Sequence, residues 1–339
     1  MKKFIVTGDL HYKGVNPRAW LADFPKAMLR ELREVFGLAV KHQAEAIVIP
    51  GDIFDSPQTA LGTLAEVAQL LQEAPCRVLV IAGNHDLWGH NITSKPRTPY
   101  GFLARLGLVW DLTDEAYEIR DRGTGALDVC VTGRSYSVET DTPAGAEQFC
   151  PPEHLECYSG TSIHVVHSML MDHSPGFDMR HTLISEVKTT ANVIISGHEH
   201  IGFGIYRRDD GVLFINPGAL CRLSASAKEI ERPVQVALLS VDGEGNAEAE
   251  LIPLKCAAPG HEVLSREHLE NEAERNARMD EFLSLLASEG ESKFLEVQDI
   301  VEDIAARENV PVEVKADALK RIGEAREELA GKDVRQGVA

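Results

Sequence analysis

The sequence predicts an α/β protein whose parallel strands carry polar residues at their carboxyl ends. Over the first hundred residues, short β-branched runs alternate with segments of helical periodicity. The runs Phe4–Val6, Ile47–Ile49 and Val78–Ile81 are each followed closely by glycine and then by acidic, amide or imidazole side chains. Strands in a β-α-β-α-β order lie parallel, so their carboxyl ends meet at one edge of a sheet. A polar site is therefore expected at that edge.

The first hundred residues give the predicted elements in a simple order. Strand 4–7 precedes a helix over 25–43, in which apolar residues recur at helical spacing. Strand 46–49 precedes a second helix over 58–73, and strand 77–81 follows it. This order is the one expected of a sheet built with helical crossovers.

The middle of the chain is predicted to be rich in strands. A short helix is expected to end near Gly107, and another is expected over 181–190. Turns at 209–211 and 242–245 favour antiparallel pairing of the strands beside them. The predicted strands are 117–119, 127–131, 162–166, 192–195, 203–206, 212–215, 234–240 and 247–253.

The composition changes after Pro259-Gly260. Glycine and β-branched residues become scarce, while Glu, Ala, Leu and Arg dominate. We expect a core over 1–258 and a helical C-terminal segment over 261–339, which is a candidate region for docking a partner. The helices predicted in that segment span 265–288, 293–308 and 312–330.

Charge and composition exclude several classes of protein. The chain has 339 residues, a net charge of −19 and 44% apolar residues, so a large core is possible but bulk electrostatic attraction to nucleic acid or membrane is not. No apolar run approaches the roughly 18 residues of a membrane span. The six cysteines form no CxxC pair, which favours free buried thiols and a cytoplasmic location.

Five clusters of oxygen and nitrogen ligands follow apolar runs along the chain. Each cluster alone is weak, because Asp-x-His and Gly-Asp are common in turns and a lone strand-end histidine usually makes only a hydrogen bond. Five in order, each after a strand, predict a metal site. The clusters are Asp9-Leu10-His11, Gly51-Asp52, Gly83-Asn84-His85-Asp86, His167 and Gly197-His198-Glu199-His200.

The donor types in these clusters indicate two divalent cations. Imidazole, carboxylate and amide oxygen suit borderline and hard metals. Asp52 is the best candidate for a bridge, since a carboxylate can give one oxygen to each ion, and such a pair can activate water for in-line attack on a phosphate. The predicted metal ligands are Asp9, His11, Asp52, Asn84, His167, His198 and His200.

Two further residues are predicted to be catalytic. His85 directly follows Asn84 and is the natural residue to protonate a leaving alkoxide. Asp86 is expected to orient the His85 ring. The basic residues nearest the predicted loops are Lys13, Arg18, Lys95, Arg97 and Arg222, which are candidate phosphate contacts.

The motif series resembles that of the calcineurin-like metallophosphoesterases over about residues 1–220. This resemblance implies a four-layer α/β/β/α sandwich of two mixed sheets with a dinuclear site between loops. It implies one metal held by Asp9, His11, Asp52 and His200. It implies a second held by Asp52, Asn84, His167 and His198, with His85 over the substrate phosphate.

Within that superfamily the sequence looks most like the SbcD-type branch, the nuclease subunit of double-strand-break processing complexes. The residues that carry this resemblance are 50–55, 167–169 and 216–220. It implies manganese-supported hydrolysis of DNA phosphodiester bonds, with Mg²⁺, Fe²⁺ or Zn²⁺ as alternative metals.

The same resemblance implies partners. Helices at 57–73 and 97–107 would lie where such subunits form a homodimer, and the segment 261–339 would dock an SbcC-like coiled-coil ATPase. Two other functions remain open on the sequence: a phosphatase or phosphodiesterase for small phosphoesters or phosphoproteins, and a non-catalytic scaffold.

Overall fold

The computed structural model describes residues 1–153, 160–176, 178–265, 301, 304–305 and 310–322. The chain divides into two compact units, Met1–Arg266 and Glu267–Ala339. In the second unit, residues 312–322 are helical, within the helix predicted over 312–330. The helix predicted over 265–288, and most of the one over 293–308, lie outside the described residues.

Fourteen strands are present among the described residues of the first unit. They are β1 (Lys2–Val6), β2 (Ala46–Ile49), β3 (Arg77–Val80), β4 (Trp110–Asp111), β5 (Tyr117–Arg120), β6 (Leu127–Arg134), β7 (Thr161–Ser168), β8 (Leu170–Met171), β9 (Thr182–Leu183), β10 (Val193–His198), β11 (Gly204–Arg207), β12 (Leu213–Asn216), β13 (Gln235–Val241) and β14 (Ala247–Pro253). The helices are α1 (Phe24–His42), α2 (Leu61–Gln72), α3 (Pro99–Arg105), α4 (Ala227–Glu231) and α5 (Gly260–Val263).

The strands form two mixed six-stranded sheets. The first sheet has the order β14-β13-β1-β2-β3-β4, and the second has the order β11-β12-β10-β7-β6-β5. In each sheet the central strands run parallel and the edge hairpin strands run antiparallel. The predicted architecture of two mixed sheets with flanking helices is confirmed.

The alternating direction of side chains along β1 explains how the layers stack. Phe4 and Val6 face the second sheet and join an apolar cluster with Val165 and Ile195. Ile5, one residue out of phase, packs with the helical layer on the other face. A strand buried on both faces reads as a continuous apolar run, which is the pattern seen in the sequence.

Helix α1 covers the first sheet through a stripe at helical spacing. Met28, Leu32 and Val35 are buried against the sheet. The helix begins where the Asp23 side chain accepts a hydrogen bond from the Lys26 amide. It ends at Gln43 in a left-handed conformation with φ 54°.

The predicted short helix over 181–190 is wrong. The structure has strand β9 followed by a 3₁₀ turn at Ile184–Glu186. The Thr182 amide donates to the Met169 carbonyl, and β9 pairs in parallel with β8. Tertiary pairing here overrides the local sequence pattern.

The structure also bears on the cysteines and on possible membrane-spanning helices. Cys130 is disulfide-bonded, so the prediction of six free thiols is wrong for that residue; Cys76, Cys150, Cys221 and Cys256 are free. No helix among the described residues is long and apolar enough to cross a membrane.

Candidate metal centre

The predicted ligands gather where the carboxyl ends of the two sheets face each other. Asp9 follows β1, Asp52 follows β2 and Asn84 follows β3 in the first sheet, while His167 and His198 lie at the ends of β7 and β10 in the second. The first two of these loops are tied together, because the amides of residues 10 and 11 both donate to the Asp52 carbonyl, at 3.0 and 2.8 Å. The two sheets therefore bring into one place residues that are up to 191 positions apart in the sequence.

Three predicted ligands have a strained backbone. His11, Asp52 and His198 adopt left-handed φ angles of 44°, 50° and 77°. Residues with a side chain rarely adopt this region, and such strain clusters at functional sites. Glycine is also required here, since a Cβ on Gly83 would overlap the Asp52 carboxylate and one on Gly197 would overlap the Asp9 carboxylate.

The first cluster consists of Asp9, His11 and His200. The Nε2 atoms of His11 and His200 are 3.0 Å apart, and the Asp9 Oδ2 atom lies 3.8 Å from the first and 3.4 Å from the second. The side chains of Asp9 and His11 are fully or almost fully buried. Converging donor atoms at these separations can surround one cation.

The second cluster consists of Asp52, His167 and His198, with Asn84 beside them. His167 Nε2 lies 2.9 Å from Asn84 Oδ1 and 3.2 Å from Asp52 Oδ2. Its other ring nitrogen, Nδ1, is 2.8 Å from the Pro50 carbonyl, an acceptor that fixes the ring and leaves Nε2 facing the cluster.

Asp52 stands between the two clusters. Its Oδ2 atom lies 3.4 Å from His11 Nε2 and 3.2 Å from His167 Nε2. This buried oxygen has no hydrogen-bond partner within the described part of the chain, and neither has the buried Nδ1 atom of His11. A buried carboxylate oxygen without a donor is costly unless a cation compensates it. The donor set and this orphaned oxygen therefore fit two divalent cations that share Asp52.

The electrostatics of the centre favour ionised carboxylates. Burial alone would raise the pKa of Asp52, but the positive charge of the facing His167 outweighs it and lowers the pKa to about 2. Burial would likewise raise the pKa of Asp9, and His167 and His11 hold it well below its usual range. The two carboxylates in turn overcome burial and raise the pKa of His167 to about 10.

His198 shows the opposite behaviour. Burial, reinforced by the adjacent His167, lowers its pKa to about 3. The imidazole is therefore neutral and available as a ligand at ordinary pH. The His167 and His198 ring centroids are 4.9 Å apart.

His85 lies at the exposed side of the centre. Its amide donates to Asp52 Oδ1 at 2.8 Å, and its ring packs edge-on against the His11 ring at 4.7 Å between centroids. The ring Nδ1 lies 2.8 Å from the Asp55 carbonyl. A carbonyl can only accept, so Nδ1 carries the proton of the neutral ring and Nε2 is left for other partners.

The predicted contact between Asp86 and the His85 ring is wrong. Asp86 is buried and its carboxylate accepts from the amides of Ile53, Phe54 and Gly83 at 3.0 to 3.3 Å. Burial, with the charge of Asp52 adding to it, raises the Asp86 pKa to about 8. Asp86 therefore braces the loop that carries Asp52, and the Asp55 carbonyl orients His85.

Most of the predicted phosphate-contacting cations are engaged elsewhere. Arg222 is buried and donates to three main-chain carbonyls. Lys95 pairs with Asp111 and Asp114, at 2.8 and 2.7 Å, and Lys13 pairs with Asp55 at 2.8 Å. Arg18 and Arg97 are exposed.

The sequence did not point to Asp55, Tyr136 or Asp141. Asp55 stands in the run after Asp52 and could have been found there. Tyr136 follows β6, whose end carries no acidic or imidazole residue, so no pattern marks it. Its ring lies 6.0 Å from that of His167 and 5.7 Å from that of His198.

The profile of the calcineurin-like phosphoesterase family matches residues 2–202. This match spans more than half of the chain and contains every predicted metal ligand, so the chain belongs to that family. It is a metal-dependent phosphoesterase by membership, and its ligand clusters provide places for the divalent cations that the family uses.

Several solved structures are similar to this chain, at low identity. A protein from Thermus thermophilus is 14% identical, with 74% of this chain and 98% of that chain covered and a TM-score of 0.43. A dimetal phosphatase from Danio rerio is 13% identical, with 74% and 98% covered and a TM-score of 0.44. An archaeal phosphodiesterase is 12% identical, with 74% and 99% covered and a TM-score of 0.36. No curated protein matches the chain.

Proposed function

We propose that this chain hydrolyses phosphodiester bonds of DNA with two divalent cations, Mn²⁺ foremost. The observation that carries the proposal is the pair of ligand clusters on either side of Asp52, with the exposed His85 beside them. The proposed ligands are Asp9, His11, Asp52, Asn84, His167, His198 and His200. When bound, the cations would lower the pKa of a water nucleophile and neutralise charge on the phosphate.

The protein side chains have two roles in the proposed reaction: Asp9 and Asp52 bind the cations, and His85 acts as the general acid. Asp52 and Asp9 offer carboxylate oxygens to the cations, and the pKa of each is held below its usual range. The Nδ1–H group of His85 donates a hydrogen bond to the Asp55 carbonyl, which fixes the orientation of the ring. A protonated His85 can give its Nε2 proton to the departing alkoxide oxygen as the bond between that oxygen and phosphorus breaks.

An exposed aromatic residue close to His85 in the sequence supports a nucleic-acid substrate. Trp88, three residues after His85, is 40% exposed. Aromatic side chains at such positions stack on unpaired bases without sequence preference. The net charge of −19 offers little backbone attraction, so we propose that DNA affinity comes in part from an SbcC-like coiled-coil ATPase.

Exposed apolar residues support the proposed homodimer. Leu61 on α2, Phe102 on α3 and Leu106 just after it are 82%, 46% and 57% exposed. These helices lie within the segments 57–73 and 97–107. Large apolar side chains that are exposed on helices are candidates for an association surface. Docking of the ATPase on 261–339, and the cytoplasmic location, remain predictions.

The proposal is tested with purified protein, linear double-stranded DNA and Mn²⁺, with and without the candidate ATPase. We expect metal-dependent cleavage that His85→Ala reduces strongly while two equivalents of metal remain bound. The absence of cleavage under both conditions, with metal bound, would contradict the DNA assignment.

A second candidate is a phosphatase or phosphodiesterase for small phosphoesters or phosphoproteins. The engagement of Lys13, Lys95 and Arg222 within the protein favours it, because these three cations are then less available to track a polyanion. Turnover of nucleotides or phosphopeptides without DNA cleavage would support it. A scaffold, the third possibility, would have no need of two bound metals, and metal analysis distinguishes it.

A further inference from the structure

A loop outside the predicted ligand set packs against the second cluster. This loop, residues 135–142, follows β6. Its Tyr136 is 8% exposed, and the ring contacts both His167 and His198. The same ring contacts His90 edge-on at 5.6 Å between centroids. Tyr136 thereby limits how far the two cluster imidazoles can tilt.

Asp141 anchors the other end of the loop. Its carboxylate accepts three hydrogen bonds: from Ser168 Oγ at 2.6 Å, from the Met169 amide at 2.8 Å and from Thr182 Oγ1 at 2.8 Å. Hydrogen bonds to an ionised acceptor are about twice as strong as neutral ones. The residue also has a left-handed φ of 60°, a conformation that the surrounding contacts must hold in place.

These contacts connect Asp141 to both imidazoles of the second cluster. Ser168 directly follows His167 in the chain. Met169 forms an antiparallel bridge with His198, whose own backbone is strained at φ 77°. Asp141 therefore fixes the short stretch of main chain that carries one imidazole and pairs with the other.

We infer that Asp141 is a positioning residue for the second cation site. Its carboxylate holds Ser168 and Met169 so that the imidazoles of His167 and His198 converge, and Tyr136 supports their rings from behind. Groups that orient metal ligands without touching the metal set affinity by about 10- to 100-fold. The inference rests on the proposed function, because it assumes that the second cluster binds a cation.

The effect of Asp141 is selective for one half of the centre. Among the described residues, the side-chain hydrogen bonds of Asp141 are confined to Ser168, Met169 and Thr182. In the first cluster, His11 is carried by the loop after β1, and His200, two residues after His198, is held separately by the Ala219 amide, which donates to its carbonyl at 2.9 Å. Loss of the Asp141 carboxylate should therefore weaken one site and spare the other.

The test is a Mn²⁺ titration of the purified full chain by calorimetry, comparing wild type with Asp141→Asn. The matched control is Glu139→Gln, which removes the same charge from an exposed side chain two residues away that makes no side-chain hydrogen bond in the described structure. The side-chain amide in Asp141→Asn keeps one acceptor oxygen and replaces the other with an NH2 group, so either the Met169 amide or the Ser168 and Thr182 hydroxyls lose their acceptor.

We expect Asp141→Asn to weaken one of two Mn²⁺ sites by about 10-fold or more, with the other site unchanged. Glu139→Gln should titrate as wild type. Unchanged binding in Asp141→Asn, or equal weakening of both sites, would overturn the inference. Wild type that binds fewer than two equivalents would instead show that the proposed function is wrong, and the inference with it.

A second variant covers the case in which Asp141→Asn does not fold. Ser168→Ala removes one of the three donors and leaves the Asp141 carboxylate in place. We expect it to weaken the same site by a smaller factor. Binding by Ser168→Ala identical to wild type at both sites would contradict the inference.

Discussion

In the first half of the centre, the cluster of Asp9, His11 and His200 is backed by the protein core, whereas the second half is backed by a surface loop. Behind the first half, the Leu220 amide donates to the Asp9 carbonyl at 2.8 Å and the Ala219 amide donates to the His200 carbonyl at 2.9 Å. Behind the second half, the corresponding support comes from residues 135–142. The two halves thus offer similar metal ligands, but different parts of the protein hold those ligands in place.

The buried Arg232 stabilises the main chain behind the first cluster. Arg232 donates to the Ala219 carbonyl at 2.7 Å and also to the Cys221 carbonyl, and it pairs with Glu229 at 3.2 Å. Removing one partner of a buried, hydrogen-bonded ion pair such as this one is strongly destabilising. The first site is therefore tied to buried core contacts, whereas the second depends on contacts made by residues 135–142.

Loss of the shared ligand Asp52 should weaken cation binding in both halves of the centre. Asp52→Asn deprives both clusters of the carboxylate between them, so we expect a loss of activity of at least about 10⁴-fold, or ~5 kcal/mol of the barrier. Metal analysis should show fewer than two equivalents bound. Two tightly bound cations in this variant would exclude Asp52 as the bridge.

Loss of the acid should leave both halves intact. We expect His85→Ala to lower kcat by about 10²-fold or more, because general acid catalysis contributes on that scale. Both metal affinities should stay at the wild-type values, as measured by calorimetry. A substrate with a leaving group that needs no proton should be cleaved nearly normally. An equal loss on that substrate would argue against proton donation.

Part of this picture follows from local sequence and part does not. Strand ends and their ligands are local: a buried run followed by Gly-Asp or Gly-His places a donor at a sheet edge wherever the strand lies. The partner of Asp86 was mispredicted because adjacency in sequence suggested His85, whereas packing turns the carboxylate toward the Ile53 amide. Tyr136 and Asp141 act across the sheet, so only the folded chain reveals them.

Replacing Tyr136 should have a smaller effect, confined to the Mn²⁺ affinity of the second cluster. Tyr136→Leu removes the ring that packs on both imidazoles but keeps an apolar side chain. Aromatic contacts contribute about 0.5–1.5 kcal/mol, so we expect one Mn²⁺ affinity to fall about 2- to 10-fold. Tyr136→Phe, which retains the ring, is the control. Weakening confined to the His11 side would refute the division of the centre into two supports.

The stability of the protein should depend on pH through the buried Glu31. Burial raises the pKa of Glu31 from 4.5 to about 7, although Arg222 opposes the shift. Since the folded state binds this proton more tightly than the unfolded state, its contribution to stability is full below about pH 4.5 and is lost as the pH rises through about 7.

The variant Glu31→Gln keeps a neutral side chain and should remove this loss. Relative to wild type, its free energy of unfolding should rise with pH by up to about 3 kcal/mol, without any change in kcat. Urea unfolding between about pH 5 and 8 measures the difference. A constant difference between the two proteins across that range would show that Glu31 does not titrate there.

The central claim is that two cations share the Asp52 carboxylate, and anomalous diffraction from crystals grown with Mn²⁺ tests it most directly. We predict two anomalous peaks on either side of Asp52, one against Asp9, His11 and His200 and the other against Asn84, His167 and His198. A single peak, or peaks away from Asp52, would contradict the account.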